Sequence, residues 1–293
     1  QWSDNEIWQS LYFFGIIAFV SDIISTPFSV YHTFVIESKF WFNKTTLKTF
    51  VLDKIKGWII GIIIGGGLLA LIVFIFQSTG YWFWILAWGL ITLFSIFMSM
   101  FYSNLIVPLF NKQKPLEEGD LRTAIEEFSK KAGFKLKDIY VIDGSKRSAK
   151  ANAYFTGFGP KKRIVLYDTL IENHTIDELV AVLAHEIGHY KKKHILTGMA
   201  MGIVQTGIML FIFSIFISNP ILSQALGAAQ GSFHVGALAF GILYSPVMLI
   251  LEIATNAVSR KHEFAADRYA ALNFNKQSLK EALKKLSVKN LSN

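Results

Sequence analysis

His185 and His189 stand one helical turn apart with a glutamate between them, in the run His185-Glu186-Ile187-Gly188-His189. Histidines four residues apart share one face of a helix, so both rings can reach a single metal ion. Glu186 is then placed to act on water at that metal. Leu179, Val180, Val182 and Leu183 make the preceding turns largely apolar, so the site is expected to be at least partly buried. A catalytic zinc takes three protein ligands and keeps one position open. A third histidine close behind the motif would fall at position 195, where the chain has Ile195, and His194 is one residue out of register. The third ligand must come from elsewhere. The best candidate is Glu263, in Glu263-Phe264-Ala265-Ala266-Asp267. Glu263 and Asp267 share a helical face, and Arg260, Asn256 and Glu252 continue the same stripe upstream. On this reading Asp267 orients a ligand histidine by accepting its free ring N–H, with Arg260 and Asn256 as further neighbours around the ligands. A solvated charged helix is the competing reading of the stripe.

The elements that would carry these residues are legible nearby. Thr175-Ile176-Asp177-Glu178 is a capping box, opening a helix that runs through the motif to about His194. Upstream, 117–133 reads as an amphipathic helix with Leu121, Ile125 and Phe128 on one face and Gly133 as its stop. Segments 139–143, 153–158 and 163–167 read as strands, the last two joined across Gly159-Pro160.

Of the 293 residues 52% are hydrophobic, and the mean hydropathy is +0.40, so membrane spans are the first thing to seek. Three uncharged stretches are long enough to cross a bilayer, about 58–77, 81–107 and 195–219. Two more carry one acid each: 7–26 with Asp22 and 235–258 with Glu252. Both acids fall near the ends of their spans, where they either reach the interface or line a polar cavity. Gly65-Gly66-Gly67, within a span, permits close packing or a bend. All 29 Lys and Arg lie in 27–57, 108–194 and 259–293; none lies in 1–6, 78–80 or 221–234. That alternation is what the positive-inside rule predicts, with 1–6, 78–80 and 221–234 outside and the basic segments cytosolic. The net charge of +8 is therefore topological. No arginine-rich or aromatic-interleaved motif points to nucleic acid. The absence of cysteine excludes disulfides, Cys-ligated zinc and cysteine-protease chemistry.

The expected organisation follows. Residues 1–107 hold three transmembrane helices with a cytosolic loop at 27–57. Residues 108–194 form a cytosolic catalytic segment, 195–258 a transmembrane hairpin, and 259–293 a cytosolic segment carrying the third metal ligand.

The chain resembles the type I CAAX prenyl protease family of membrane zinc metalloproteases. The likeness runs in order through Tyr31-His32-Thr33-Phe34-Val35-Ile36-Glu37, Pro108-Leu109-Phe110-Asn111-Lys112, Asn152-Ala153-Tyr154-Phe155-Thr156-Gly157-Phe158, Leu183-Ala184-His185-Glu186-Ile187-Gly188-His189 and Ser259-Arg260-Lys261-His262-Glu263-Phe264-Ala265-Ala266-Asp267. The resemblance implies His185, His189 and Glu263 as ligands of one Zn2+ and Glu186 as general base and acid. It implies Asn152 and Ala153 on an edge strand that grips the substrate backbone, as an added strand would be gripped. The fold it implies is mostly α and integral to the membrane. A multi-span helical bundle or barrel encloses a chamber, and a cytosolic zincin-like α+β region carries a small sheet. Family members have seven membrane helices, so two are expected before Gln1. A histidine and arginine region that helps bind substrate and stabilise the oxyanion is expected beyond Asn293.

The expected reaction is hydrolysis of peptide bonds near the cytosolic membrane face, with removal of the C-terminal tripeptide of prenylated CAAX proteins as the named possibility. The partners are a peptide or protein substrate, prenylated or not, and the lipid bilayer. A compact cytosolic insert is more like that of bacterial members, which places the chain in a bacterial inner membrane, with the endoplasmic reticulum as the alternative. A bacterial member could instead be a general quality-control protease of membrane proteins. A non-catalytic zinc-containing scaffold is the reading from another class, although a structural site closes with four ligands and has no use for Glu186. An intramembrane protease is disfavoured because Glu178 and Lys191, Lys192 and Lys193 flank the motif, and a transporter because no internal repeat is visible.

Overall fold

A computed structural model describes residues 5–290 apart from 135, 137, 157–162, 218–219 and 229–230. The chain divides into two compact units.

The first unit gathers residues up to 32 with 51–95 and 198–256. Its helices are α1 (Glu6–Tyr31), α2 (Leu47–Ile60), α3 (Gly67–Thr79) and the first part of α4 (Phe83–Leu105), whose end, like the short α5 (Val107–Phe110), belongs to the second unit; most of α9 (His194–Ile217) and the first part of α11 (Phe233–Asn273) lie in it as well. Five helical runs are long and apolar enough to cross a membrane: Glu6–Glu37, Leu47–Thr79, Phe83–Phe110, His194–Ile217 and Phe233–Asn273. They extend beyond the apolar stretches themselves, so much of 27–57 is helical. A π-helical turn at His32–Glu37 continues α1, and α2 begins at Leu47. The glycines Gly65 and Gly66 close a second π-helical turn, Gly61–Gly66, that joins α2 to α3. Such a turn inserts a residue into the helical repeat and re-aims the faces beyond it. Large side chains of α1 such as Phe19, Ile24 and Phe28 are exposed, as a lipid-facing helix requires, while Val73, Phe83, Phe213 and Phe240 form a small inner core. Asp22 does not stand alone. Lys54 donates to both of its carboxylate oxygens at 2.7 and 2.6 Å and the Trp58 indole donates at 3.2 Å. The pair edges a cavity of about 900 Å³ lined also by Gly15, Gly57, Gly61 and Gly65.

The second unit holds 33–50, 96–197 and 257–293. Its four-stranded sheet is formed by β1 (Gln113–Pro115), β2 (Asp138–Ile142), β3 (Ala153–Thr156) and β4 (Arg163–Tyr167), in the order β1-β2-β4-β3. Strands β2 and β4 are parallel and the other two pairings antiparallel, which leaves β3 at one edge. The expected last residues of the third strand, Gly157 and Phe158, and the Gly159-Pro160 connection lie outside the described residues. Strand β1 carries no apolar alternation, and its sequence gives no sign of a strand. The helices of this unit are α6 (Asp120–Lys131), α7 (Asp168–Asn173), α8 (Ile176–Lys191) and α12 (Lys276–Asn290). Helix α9 (His194–Ile217) leads from it into the first unit, which also contains the short α10 (Pro220–Ala225). Helix α11 (Phe233–Asn273) passes from the first unit into the second. At 41 residues, and about 1.5 Å per residue, it is roughly twice as long as a bilayer core is thick.

The core of the second unit sits between sheet and helices: Ile125 and Phe128 from α6, Ile139, Ile164 and Leu166 from the strands, and Leu179, Leu183 and Ile187 from α8. Each such side chain contributes about 1.5–3 kcal/mol on burial. This packing fixes which face of α8 is left for chemistry.

Candidate metal centre

Helix α8 opens as its sequence requires. Thr175 Oγ1 accepts from the Glu178 backbone N–H at 3.3 Å, and the Glu178 carboxylate accepts from the Thr175 N–H at 2.9 Å. The apolar face of the helix is buried from Leu179 to Ile187, and the opposite face presents His185, Glu186 and His189. The helix ends at Lys191, not at His194. Lys193 adopts a left-handed conformation, φ 59°, and α9 starts afresh at His194.

Glu263 reaches this face because α11 crosses α8 closely. A Cβ on Gly188 would come within 3.1 Å of both the Cα and the carbonyl oxygen of Ala266 and 3.2 Å of the Tyr269 Cβ. Only a glycine lets the two backbones approach so nearly; Ala266 and Ala184, both fully buried, keep the crossing narrow.

The result is a tight triangle of donors. Nε2 of His185 and Nε2 of His189 are 3.1 Å apart, and Oε2 of Glu263 lies 3.4 and 3.6 Å from them. Zinc bonds of about 2.0–2.1 Å at tetrahedral angles put neighbouring donors about 3.3 Å apart, so the triangle fits one face of a zinc tetrahedron. Among the described residues these three form the one group of metal-binding type.

The surroundings set the state of the rings. Nδ1 of His185 donates to Oδ1 of Asp267 at 2.8 Å, which turns the Nε2 lone pair towards the other two donors. Burial lowers the affinity of His185 for protons, but the Asp267 hydrogen bond and the nearby carboxylates more than offset it, and its pKa is raised. Burial and the neighbouring His185 hold His189 below the ordinary imidazole value. Burial lifts the Glu186 carboxyl to about 7; His185 opposes the rise and Glu263 adds to it. A carboxyl titrating near neutrality can both accept and return a proton.

Of the residues singled out around the ligands, Asp267 is brought to the site and Arg260 is not. Arg260 is exposed and makes no hydrogen bond or ion pair with the ligand trio among the described residues, and Asn256 is exposed on the part of α11 that belongs to the first unit. Side chains on a helix lean towards its N-terminus, so Asp267 leans back over Glu263 while Arg260 and Asn256 lean away from it. Ala153 opens β3 at the sheet edge, and Asn152 precedes it, its side chain accepting from the Ala153 N–H at 2.9 Å. Both line a small cavity together with His185 and Glu186.

Two histidines outside the expected set also meet here. Nδ1 of His194 faces Nδ1 of His189 at 3.1 Å, and the His194 ring stacks on His262 with centroids 3.9 Å apart. His194 fails as a ligand by register, yet the left-handed turn at Lys193 swings it over the far side of His189. Helix α12 is also outside the expected elements, although Leu279, Leu283 and Leu286 repeat at helical spacing.

A donor triangle of metal-binding type with an adjoining carboxyl, on a chain with five helices long and apolar enough to cross a membrane, defines a membrane-embedded metallopeptidase. Residues 115–292 match the family described as Peptidase family M48, and residues 1–112 match "CAAX prenyl protease N-terminal, five membrane helices". The chain is 39% identical to the CAAX prenyl protease 1 homolog of Arabidopsis thaliana over 99% of its own length and 68% of the relative. It is 33% identical to the Homo sapiens CAAX prenyl protease 1 homolog over 98% of its length and 69% of that protein. Among solved structures, the crystal structure of S. mikatae Ste24p superposes with a TM-score of 0.93 at 37% identity, covering 98% of this chain and 70% of that one. The chain therefore belongs to the CAAX prenyl protease family within peptidase family M48. The expectation of a bacterial member is corrected, because these relatives are eukaryotic and the chain is of their type. A compact insert is a poor marker of lineage, since surface segments lengthen and shorten at little energetic cost.

Proposed function

We propose that this metallopeptidase is a zinc endopeptidase that removes the C-terminal tripeptide of prenylated CAAX proteins at the cytosolic membrane face. The observation that carries the chemistry is the donor triangle of His185, His189 and Glu263 beside a half-buried Glu186. The substrate class rests on the names of the relatives. The alternation of basic segments favours a cytosolic active site, and the eukaryotic type favours the endoplasmic reticulum over a bacterial inner membrane.

His185, His189 and Glu263 hold the metal, and Asp267 keeps His185 in the tautomer that can bind it. When bound, zinc supplies Lewis-acid chemistry, making water acidic at neutral pH and polarising a carbonyl. Glu186 takes the proton from the attacking water and returns it to the departing amine. The free edge of β3 at Asn152 and Ala153 aligns the peptide by main-chain hydrogen bonds.

The test is cleavage of a farnesylated CAAX peptide and its unprenylated twin by the protein purified in detergent, with Glu186→Gln as control. Preference for the farnesylated peptide that depends on Glu186 supports the proposal. Equal cleavage of both makes the enzyme a general membrane-associated protease. Cleavage of neither by a protein carrying stoichiometric zinc overturns the substrate assignment.

A further inference from the structure

The two ligand histidines differ in what stands behind their rings. Nδ1 of His185 donates to the Asp267 carboxylate, whereas Nδ1 of His189 faces Nδ1 of His194 at 3.1 Å. Two ring nitrogens at that distance share one hydrogen, one ring donating and the other accepting. A neutral histidine that keeps the lone pair of Nε2 bare for a metal carries its proton on Nδ1, so His189 donates and His194 accepts. We infer that His194 is the positioning residue of His189, as Asp267 is of His185. The inference rests on the reading of His189 as a metal ligand.

The backbone is bent to make this contact. Five residues further along an unbroken helix, a side chain points about 140° away from that of His189. Helix α8 instead stops at Lys191, and the Lys193 N–H turns back to the Tyr190 carbonyl at 2.9 Å. Lys193 takes a left-handed conformation, φ 59°, which a residue with a side chain holds only where its surroundings impose it. Helix α9 then opens at His194, and the Thr197 N–H donates to the Lys193 carbonyl at 3.0 Å. The turn that breaks the helix is what returns His194 to His189.

A second ring holds the first. His262 stacks on His194 with centroids 3.9 Å apart and planes 7° from parallel, and both residues are half-buried. A ring backed in this way keeps its edge, and so its Nδ1, directed at His189. His262 directly precedes Glu263 on α11. One helix therefore supplies a ligand, the carboxylate that orients His185 and the ring that backs His194. The acceptor behind His189 is also uncharged. A carboxylate there would be a fourth, beside Glu186, Glu263 and Asp267, and like charges gathered in one site disfavour each other's ionised forms.

The experiment measures zinc affinity of the metal-free protein in detergent, by competition with a chromophoric chelator, and thermal unfolding without metal as a check on folding. His194→Phe keeps a ring to stack on His262 but has no acceptor. His194→Asn gives up the ring yet places its side-chain oxygen where Nδ1 stood, and His194→Ala loses both. His194→Phe and His194→Ala should weaken zinc binding about 10–100-fold, while His194→Asn binds nearly as wild type does. A role confined to packing gives the reverse order, with His194→Phe at wild-type affinity and His194→Asn as weak as His194→Ala, and overturns the inference. Should His194→Phe fail to fold, the other two variants decide: equal affinities overturn the inference, and tighter binding by His194→Asn supports it. His189→Ala tests the ligand reading separately. It should lose zinc whatever His194 does, and wild-type affinity there would remove His189 from the ligand set and the inference with it.

Discussion

Asp267 accepts a hydrogen bond from Nδ1 of His185 at 2.8 Å across the crossing of two helices, 82 residues away in sequence. That bond selects the tautomer in which Nε2 of His185 is a free donor to a metal, and it holds the ring plane. Asp267→Asn can pair with either tautomer and removes the selecting charge. It should weaken zinc binding about 10–100-fold, measured by competition with a chromophoric chelator. Unaltered affinity would remove Asp267 from any role in positioning the ligand.

Glu186 and Glu263 are both carboxylates of this site, but their variants should separate. Glu186→Gln should keep stoichiometric zinc and lower kcat by about 10²–10⁴, the range lost with a general base. Glu263→Ala should lose the metal itself, because two histidines remain where three ligands are needed. Metal analysis of both purified variants decides this, and full activity of Glu186→Gln would refute its assigned role.

Gly188 sets the spacing of α8 and α11. Gly188→Ala adds a methyl group where only 3.1 Å is free to the backbone of Ala266, so α11 must shift and carry Glu263 with it. The expected loss is about 1–3 kcal/mol of stability from overpacking, together with weaker zinc binding. Thermal unfolding with and without added zinc tests both; an unperturbed variant would mean that the crossing is looser than the structure has it.

The Glu178–Lys285 pair gives a pH signature. Burial raises the Glu178 pKa, but the hydrogen bond from Lys285, that from the Thr175 backbone and the lysine charge outweigh it, leaving the pKa lowered. A carboxyl with a depressed folded-state pKa stabilises the protein above its unfolded value, about 4.3, and loses that contribution as pH falls through the folded value. Glu178→Gln preserves the capping geometry without the charge. It should be less stable than wild type by about 1–2 kcal/mol above pH 5, at the low side because Lys285 is 41% exposed. The two unfolding curves should converge as pH falls through the lowered folded-state value, and a gap constant with pH would show that the charge contributes nothing.

Much of the site was legible because it is encoded over short distances. The four-residue spacing of His185 and His189 forces one face, and Thr175 with Glu178 announces where that helix begins. The stripe joining Glu263 to Asp267 is helical whatever surrounds it. The same locality misled at its margins. The helix was expected to reach His194, yet Lys193 turns left-handed and starts a new one, and Arg260 shares the stripe while leaning the wrong way. Strand β1, short and polar, has no periodic signal to read.

By itself the sequence determined what depends on neighbours along the chain: five apolar runs of spanning length, the distribution of basic residues between them, and the pairing of the two histidines. Only the tertiary structure decided how distant segments meet. It brought Glu263 to within 3.6 Å of both histidines through the close approach at Gly188, paired Lys54 with Asp22, and laid the leucines of α12 against Val182 beside Glu186. These contacts are fixed by packing and chain crossing, in which each residue's partner is chosen by shape and burial across the fold, and no local spacing carries that choice.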